Sequence, residues 1–132
     1  MKNYKTAIWH IIIISLWINI AETLRWILFS QSHFMEHYQR LNLVLPFGPI
    51  VLILWLLWGI LLSVVIYTIS KKYTLLQTVG IIWIMAYLMV WIALYNLNVL
   101  PVSMLWLVIP LSFINIIIGT LISNYLSNKA LK

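Results

Sequence analysis

Two residues of opposite charge lie inside the first apolar segment of this chain, Glu22 and Arg25. Ionisable residues within a membrane span are energetically costly, and they mark ion pairs, ligand sites or transport pathways. On a helix the two side chains are one turn apart and can pair, and Asn19 shares a face with Glu22. Two interpretations stay open: a structural pair that locks the first helix, or a transport, ligand or proton site. Arg25 weakens the cation-site version, because it competes for the carboxylate.

Three other segments carry polar or aromatic residues that could meet Glu22. The carboxylate lies roughly 10 Å below the outer end of its helix, at 1.5 Å per residue. By the same rise, Ser112 and Asn115 lie about 14–20 Å down an antiparallel helix, and Tyr87 and Trp91 lie at a comparable level. The sequence therefore predicts one intramembrane polar cluster, which consists of Asn19, Glu22, Arg25, Tyr87, Trp91, Ser112 and Asn115.

A second group follows the first apolar segment, and its letters match the inverted zinc-protease motif H-x-x-E-H. On a helix His33 and His37 would share a face, with Glu36 between them as a base. Such an enzyme needs a third protein ligand, and the remaining acid, Glu22, lies within the apolar segment. We therefore predict no metal site, with His33 and His37 as the residues to examine. No cofactor is predicted either, because a membrane haem requires facing histidines at core depth.

The composition places these residues in a membrane protein. The chain has 132 residues, of which 64% are hydrophobic and 8% charged, whereas soluble domains carry roughly 25% charged residues. The mean hydropathy is +1.05. Cysteine and aspartate are absent, which excludes disulfides, thiol redox chemistry and paired-aspartate hydrolases. The eight Lys and Arg residues are scattered and form no basic run, so no nucleic-acid partner is expected.

Four apolar segments are long enough to cross a bilayer core of about 30 Å. They cover about residues 7–29, 48–69, 75–95 and 102–126, and a polar stretch at 30–47 predicts an interfacial, extracytoplasmic amphipathic helix. The fold class predicted is all-α: one domain, residues 1–132, that forms an integral membrane four-helix transmembrane bundle.

Lysines set the predicted orientation. They lie at both chain ends and in the turn between the second and third segments, at Lys2, Lys5, Lys71, Lys72, Lys129 and Lys132. The other side carries only Arg40, partly offset by Glu36. The positive-inside rule then predicts cytoplasmic N and C termini in a plasma (inner) membrane.

In architecture the chain resembles the small multidrug resistance transporters, which are short four-span proteins with a lone Glu in the first helix. The matching stretch is Ile18-Asn19-Ile20-Ala21-Glu22-Thr23. The resemblance implies a transporter that uses Glu22. This chain departs from those proteins in its neighbouring Arg25, its bulkier surroundings of the acid, its stronger charge bias and its longer loop.

We predict a non-enzymatic helix bundle or membrane-complex subunit, in contact with lipid and assembled as a homo-oligomer or in a larger complex. The alternative is a small transporter or channel that uses an intramembrane Glu22 site. An enzyme is not expected, because the chain lacks a nucleophile-and-base pair or metal set. A cavity that reaches Glu22 favours transport, and a dry, tightly packed bundle favours the structural role.

Overall fold

The computed structural model describes residues 2–130, with side chains for residues 4–128. Within this range four helices are long and apolar enough to cross a membrane, and every regular element is helical. The first helix consists of Lys2–Arg25, a π-helical turn at Trp26–Ser30, and Gln31–Arg40. The second helix is Pro49–Ile69, and the third consists of Leu75–Trp83, a π-helical turn at Ile84–Leu88, and Met89–Asn96. The fourth helix begins with a 3₁₀ turn at Val102–Met104 and continues as Leu105–Ala130. Lys132, part of the charge argument, lies outside the described residues.

Local sequence signals account for the helix boundaries. Pro49 occupies the first turn of the second helix, where a missing backbone N–H costs nothing. Thr74 and Gln77 form a reciprocal capping box that starts the third helix directly after the turn at 70–73. These signals make the connection short, so the second and third helices are antiparallel neighbours.

The first helix differs from the sequence prediction, which ended it near residue 29 and began a separate interfacial helix. The helix instead continues to Arg40, and the stretch Tyr4–Arg40 has 37 residues. The backbone N–H of Gln31 bonds the carbonyl of Trp26, so the π turn carries the hydrogen-bond ladder past Ser30. No Pro or Gly lies between residues 26 and 40 to break it.

The first helix is the centre of the packing. It lies along the second and fourth helices, the third packs mainly on the fourth, and the second and third approach each other near their connecting turn. The apolar core between the first, second and fourth helices includes Ile14, Ile18, Ile66 and Ile116, all fully buried. Gly119 lies against Ile18 and Ile66, as expected where small residues let apolar helices approach closely.

Large apolar side chains cover the outside of the bundle. Ile20, Leu57, Ile92 and Trp106, one from each helix, are all exposed. A soluble monomer rarely exposes contiguous apolar surface of this extent. The arrangement is compatible with a small membrane protein whose outer faces contact lipid. We call the end of the bundle with the 70–74 turn the termini end, and the end with the 41–48 and 97–101 connections the loop end.

Candidate functional site

Glu22 is the centre of a polar network in the loop-end half of the bundle, and it is 1% exposed. Its Oε2 accepts from Arg25 Nη2 at 2.5 Å. Its Oε1 accepts from Tyr87 OH at 2.8 Å, Asn115 Nδ2 at 2.7 Å and Arg25 Nε at 3.3 Å. A carboxylate has about two lone-pair positions on each oxygen; Oε1 takes three of the four contacts and Oε2 takes one, all from Arg25, Tyr87 and Asn115 on three helices.

Arg25 has donors left over after this pairing. Its Nη1 also lies 3.4 Å from Ser30 Oγ, an acceptor in the first π turn, and its guanidinium carbon is 5.8 Å from the centre of the Tyr87 ring. The side chain is 12% exposed. A guanidinium has five N–H groups; three of those of Arg25 are used, and two find no acceptor among residues 2–130.

The third helix supplies Tyr87, which is buried and lies in the second π turn, Ile84–Leu88. Its hydroxyl donates to Glu22 and accepts a long bond of 3.4 Å from Asn115 Nδ2. Trp91 is one turn further on, with its ring 5.8 Å from that of Tyr87, but makes no hydrogen bond to the network. Single π turns inside α-helices are frequent at functional sites, and here one borders the network on each of two helices.

The fourth helix supplies Asn115, which is buried and anchored on two sides. Its Nδ2 donates to Glu22, and its backbone carbonyl accepts from Trp17 Nε1 at 3.1 Å. Its Oδ1 is buried without a partner among the described residues. Ser112, predicted to join the same cluster, instead accepts from Trp83 Nε1 at 2.9 Å and donates to the carbonyl of Ile109.

Asn19 does not reach Glu22 either. Its Nδ2 donates to the backbone carbonyl and hydroxyl of Ser15, at 2.9 and 3.1 Å. Its amide faces Gly59 of the second helix, where an added Cβ would collide with it. The predicted cluster thus separates into a Glu22–Arg25–Tyr87–Asn115 network, with Asn19, Trp91 and Ser112 beside it in other contacts.

A cavity of about 430 Å³ adjoins the network between the first, second and third helices. Glu22, Arg25 and Ser30 form the polar part of its wall. Most of the remaining wall consists of aliphatic side chains and of six aromatic residues: Trp26, Phe34, Trp55, Trp58, Tyr87 and Trp91. Leu54 and Val90 on its wall are 57% and 44% exposed. The cavity therefore opens between the second and third helices.

The sequence analysis placed Tyr87 and Trp91 in the predicted cluster but did not identify the other aromatic residues of this lining as part of a site. Trp55 and Trp58 occupy one side of the second helix at a depth that matches Glu22, which is a usable signal. Phe34 and Ser30 gave no such signal, because they belong to the cavity only if the first helix continues past residue 29. The rings form a chain, with centres 6.0 Å apart for Trp26–Trp55 and 6.1 Å for Trp55–Trp58.

The H-x-x-E-H stretch makes contacts of another kind at the loop end. His33 Nδ1 lies 3.1 Å from Ser103 Oγ, and His37 Nε2 donates to the carbonyl of Asn98 at 3.0 Å. Glu36 pairs with Arg40. Among the described residues no group of three His, Cys, Asp or Glu side chains is placed to hold a metal ion. His37 thus joins the end of the first helix to the 97–101 connection, and His33 joins it to the first turn of the fourth helix.

At the termini end a larger polar recess of about 850 Å³ includes His10, Ser127 and Lys71. His10 is buried, and its ring meets Tyr67 edge-on at 5.8 Å. Lys71 Nζ lies 3.7 Å above the same Tyr67 ring, a cation–π contact. This recess lies at the far end of the bundle from Glu22 and shares no side chain with the cavity beside it.

Comparison with known proteins adds no family to this description: no family model, no curated protein and no solved structure matches the chain. The resemblance to small multidrug resistance transporters is one of architecture.

Proposed function

We propose that the chain is a non-enzymatic multi-pass membrane protein, a helix bundle or membrane-complex subunit, in which the Glu22 network holds three helices together. The observation that carries this proposal is the pairing of the buried Glu22 carboxylate with Arg25 and its further bonds from Tyr87 and Asn115. A buried charge is tolerated when it is paired and its remaining positions are hydrogen-bonded. The network meets both conditions with donors from the first, third and fourth helices.

The ion pair argues against Glu22 as a proton or cation carrier. Arg25 bonds both oxygens of the carboxylate. A proton or cation that neutralised Glu22 would leave the positive charge of Arg25 without its partner, and breaking a buried pair in this way typically costs about 3–5 kcal/mol.

A small transporter that uses Glu22 is the second candidate, and one observation favours it. The aromatic cavity reaches both Glu22 and Arg25, and cavities lined by ionisable residues are where membrane transporters bind their cargo. A transport cycle in this chain would begin with the opening of the Glu22–Arg25 pair into that cavity.

The location proposed is a plasma (inner) membrane with both termini in the cytoplasm. Lys5, Lys71 and Lys72 lie at the termini end, and Glu36 and Arg40 cancel each other at the loop end. Positive charge on the cytoplasmic side is the rule for membrane proteins. A cytoplasm-active reporter fused in the Lys71–Lys72 turn should be active, and one fused at 41–47 should not; the reverse pattern would overturn the orientation.

The partners proposed are membrane components. Lipid covers the exposed aliphatic faces, and a homo-oligomer or a larger membrane complex forms through the same faces. No nucleic-acid partner is proposed, because the Lys and Arg residues are scattered along the chain and form no basic run. No enzymatic activity is proposed, because the Glu22 network holds no free nucleophile or base.

Proton flux into liposomes separates the two candidates. The protein is reconstituted with a pH-sensitive dye inside the vesicles, and a pH gradient is applied. A structural network predicts the same flux as empty liposomes for the native chain and for Glu22→Gln. A flux in the native chain that Glu22→Gln abolishes, while Glu36→Gln keeps it, would replace the structural proposal with the transport one.

A further inference from the structure

We propose that the aromatic cavity binds an uncharged, flat, apolar molecule that carries a carbonyl group, of the quinone class. The proposal goes beyond the structural role of the network, and it holds whether or not the protein transports anything. It rests on three properties of the cavity: the donors that remain free, the balance of its charges and the shape of its lining.

Arg25 offers hydrogen-bond donors to the cavity. Each oxygen of Glu22 already accepts from Arg25, whereas Arg25 retains two N–H groups beyond its three bonds to described residues. Polar groups in a water-poor site cost free energy when unpaired. A ligand that presents an acceptor to Arg25 removes this cost, and a ligand that presents only donors does not.

The charges of the cavity are already balanced. Glu22 and Arg25 neutralise each other at 2.5 Å, and the other lining residues are uncharged. A ligand with a net charge would add an unpaired ion to a low-dielectric site, which is strongly unfavourable. Aromatic cages do bind organic cations, but here Arg25 repels them and no free carboxylate attracts them. The ligand is therefore neutral.

The lining favours a flat ring. Trp26, Trp55, Trp58 and Trp91 present aromatic surface around one space of about 430 Å³, within the size range of small-molecule pockets. Aromatic rings pack well in offset or edge-to-face arrangements. Leu54 and Val90 are exposed on the outer wall, so the ligand enters sideways, from the bilayer in which such molecules dissolve.

Two sources supply this chemistry in a membrane: a free carbonyl-bearing ring compound, and the ester carbonyl of a phospholipid that inserts from the side. The acceptor is the same in both. An experiment in bilayers of ester-linked and ether-linked lipid separates them, because ether-linked lipid lacks the carbonyl.

The test uses tetramethylbenzoquinone and tetramethylbenzene, two flat rings with four methyl groups of which only the quinone carries carbonyls, and benzyltrimethylammonium as a cationic probe. Binding of each labelled probe is measured by equilibrium dialysis against the full chain in nanodiscs, with empty nanodiscs subtracted. We expect saturable binding of the quinone. The hydrocarbon should bind at least roughly tenfold more weakly than the quinone, because one buried donor then lacks its hydrogen-bond partner. Equal binding of the quinone and the hydrocarbon, or tighter binding of benzyltrimethylammonium than of the quinone, would overturn the proposal.

A variant that fills the cavity without touching the network gives the second arm. Val90→Trp adds a ring at the open wall and should reduce quinone binding at least roughly tenfold, because overfilling removes the space that the ligand needs. Ile92→Trp is the matched control, since Ile92 is exposed on the same helix and does not line the cavity. Unchanged binding in Val90→Trp would place the probe elsewhere and overturn the site.

The lipid arm identifies the source. Tighter quinone binding in ether-linked than in ester-linked bilayers shows that lipid esters compete for the cavity, and equal binding shows that the free molecule takes it alone; both support the proposed chemistry. Failure of the proposal does not affect the structural role of Glu22, because the aliphatic side chains of Val90 and Ile92 donate no hydrogen bond to the carboxylate. The two claims therefore fail separately.

Discussion

The first helix contains two acid–arginine pairs of nearly the same design in opposite surroundings. Glu22 and Arg25 are three residues apart, and their side chains are 1% and 12% exposed. Glu36 and Arg40 are four residues apart, and their side chains are 62% and 72% exposed. These four residues are all of the acids and all of the arginines in the chain.

The difference between the pairs lies in what surrounds them. Within residues 4–128 Glu36 bonds Arg40 alone, whereas Glu22 also receives donors from Tyr87 of the third helix and Asn115 of the fourth. An exposed pair contributes about 0–1 kcal/mol. A buried carboxylate that loses its partner costs about 3–5 kcal/mol. Burial and cross-helix donors, not the pairing itself, therefore make the first pair part of the fold.

The largest effect is expected from the loss of one member of the buried pair. Arg25→Leu leaves Glu22 charged and short of two donors, and it should lower the free energy of unfolding by about 3–5 kcal/mol. Arg40→Leu, the matched change in the exposed pair, should lower it by less than about 1 kcal/mol. Unfolding in mixed detergent micelles, followed by Trp fluorescence, measures both. Equal effects would remove the distinction between the pairs.

The next prediction concerns the contact between the first and second helices at Asn19 and Gly59. It tests whether this contact, as well as the Glu22 network, stabilises the first helix. Gly59→Val places a side chain against Asn19 and should destabilise the bundle by about 1–3 kcal/mol. Gly80→Val is the control, because nothing lies within 4 Å of its added Cβ. A thermal melt of each variant in the same detergent makes the comparison. If Gly59→Val melts no lower than the control, the first and second helices are not closely packed there.

A loss of comparable size is expected when one donor is removed from Glu22 without a change of charge. Tyr87→Phe deletes the bond at 2.8 Å and should cost about 1.5–3 kcal/mol, the range for hydrogen bonds to charged groups. Tyr95→Phe changes an exposed tyrosine of the same helix and should cost almost nothing. Chemical unfolding of the two variants side by side decides whether the third helix is held by this bond, and a stable Tyr87→Phe would show that it is not.

The smallest effect is expected at the exposed end. Replacement of both His33 and His37 by Ala removes single contacts to Ser103 and Asn98 and should lower the free energy of unfolding by about 1 kcal/mol or less. Elemental analysis of the purified protein should show the same zinc content before and after the change. Stoichiometric zinc that the double variant loses would establish the metal site that we predict to be absent.

The helices could be predicted from the sequence, and so could those members of the network whose polar groups need a partner once they are buried. Glu22, Arg25 and Asn115 are costly in an apolar segment, and their depths along antiparallel helices place them together. Tyr87 followed from the same count. Prediction of this kind succeeds where a polar group has few alternatives within reach.

The hydrogen-bond partners of the neighbouring polar residues could not be predicted from the sequence. Asn19 bonds its own helix at Ser15, and Ser112 bonds Trp83 and its own helix, because serine and asparagine readily satisfy themselves on nearby backbone. Nor do the π turns leave a signature in residue spacing, since each changes the helical phase by one residue. The cavity depends on that phase, which is why its full lining appears only in three dimensions.

A double-mutant cycle on Glu22 and Arg25 tests the central claim most directly. The free energies of unfolding of Glu22→Gln, Arg25→Leu and the double variant are measured in the same micelles. The account predicts that the double variant is more stable than Arg25→Leu, because no unpaired charge is left in the bundle, with a coupling of at least about 1 kcal/mol. Additive losses, with the double variant the least stable of the three, would show that the two residues do not depend on each other and would contradict the account.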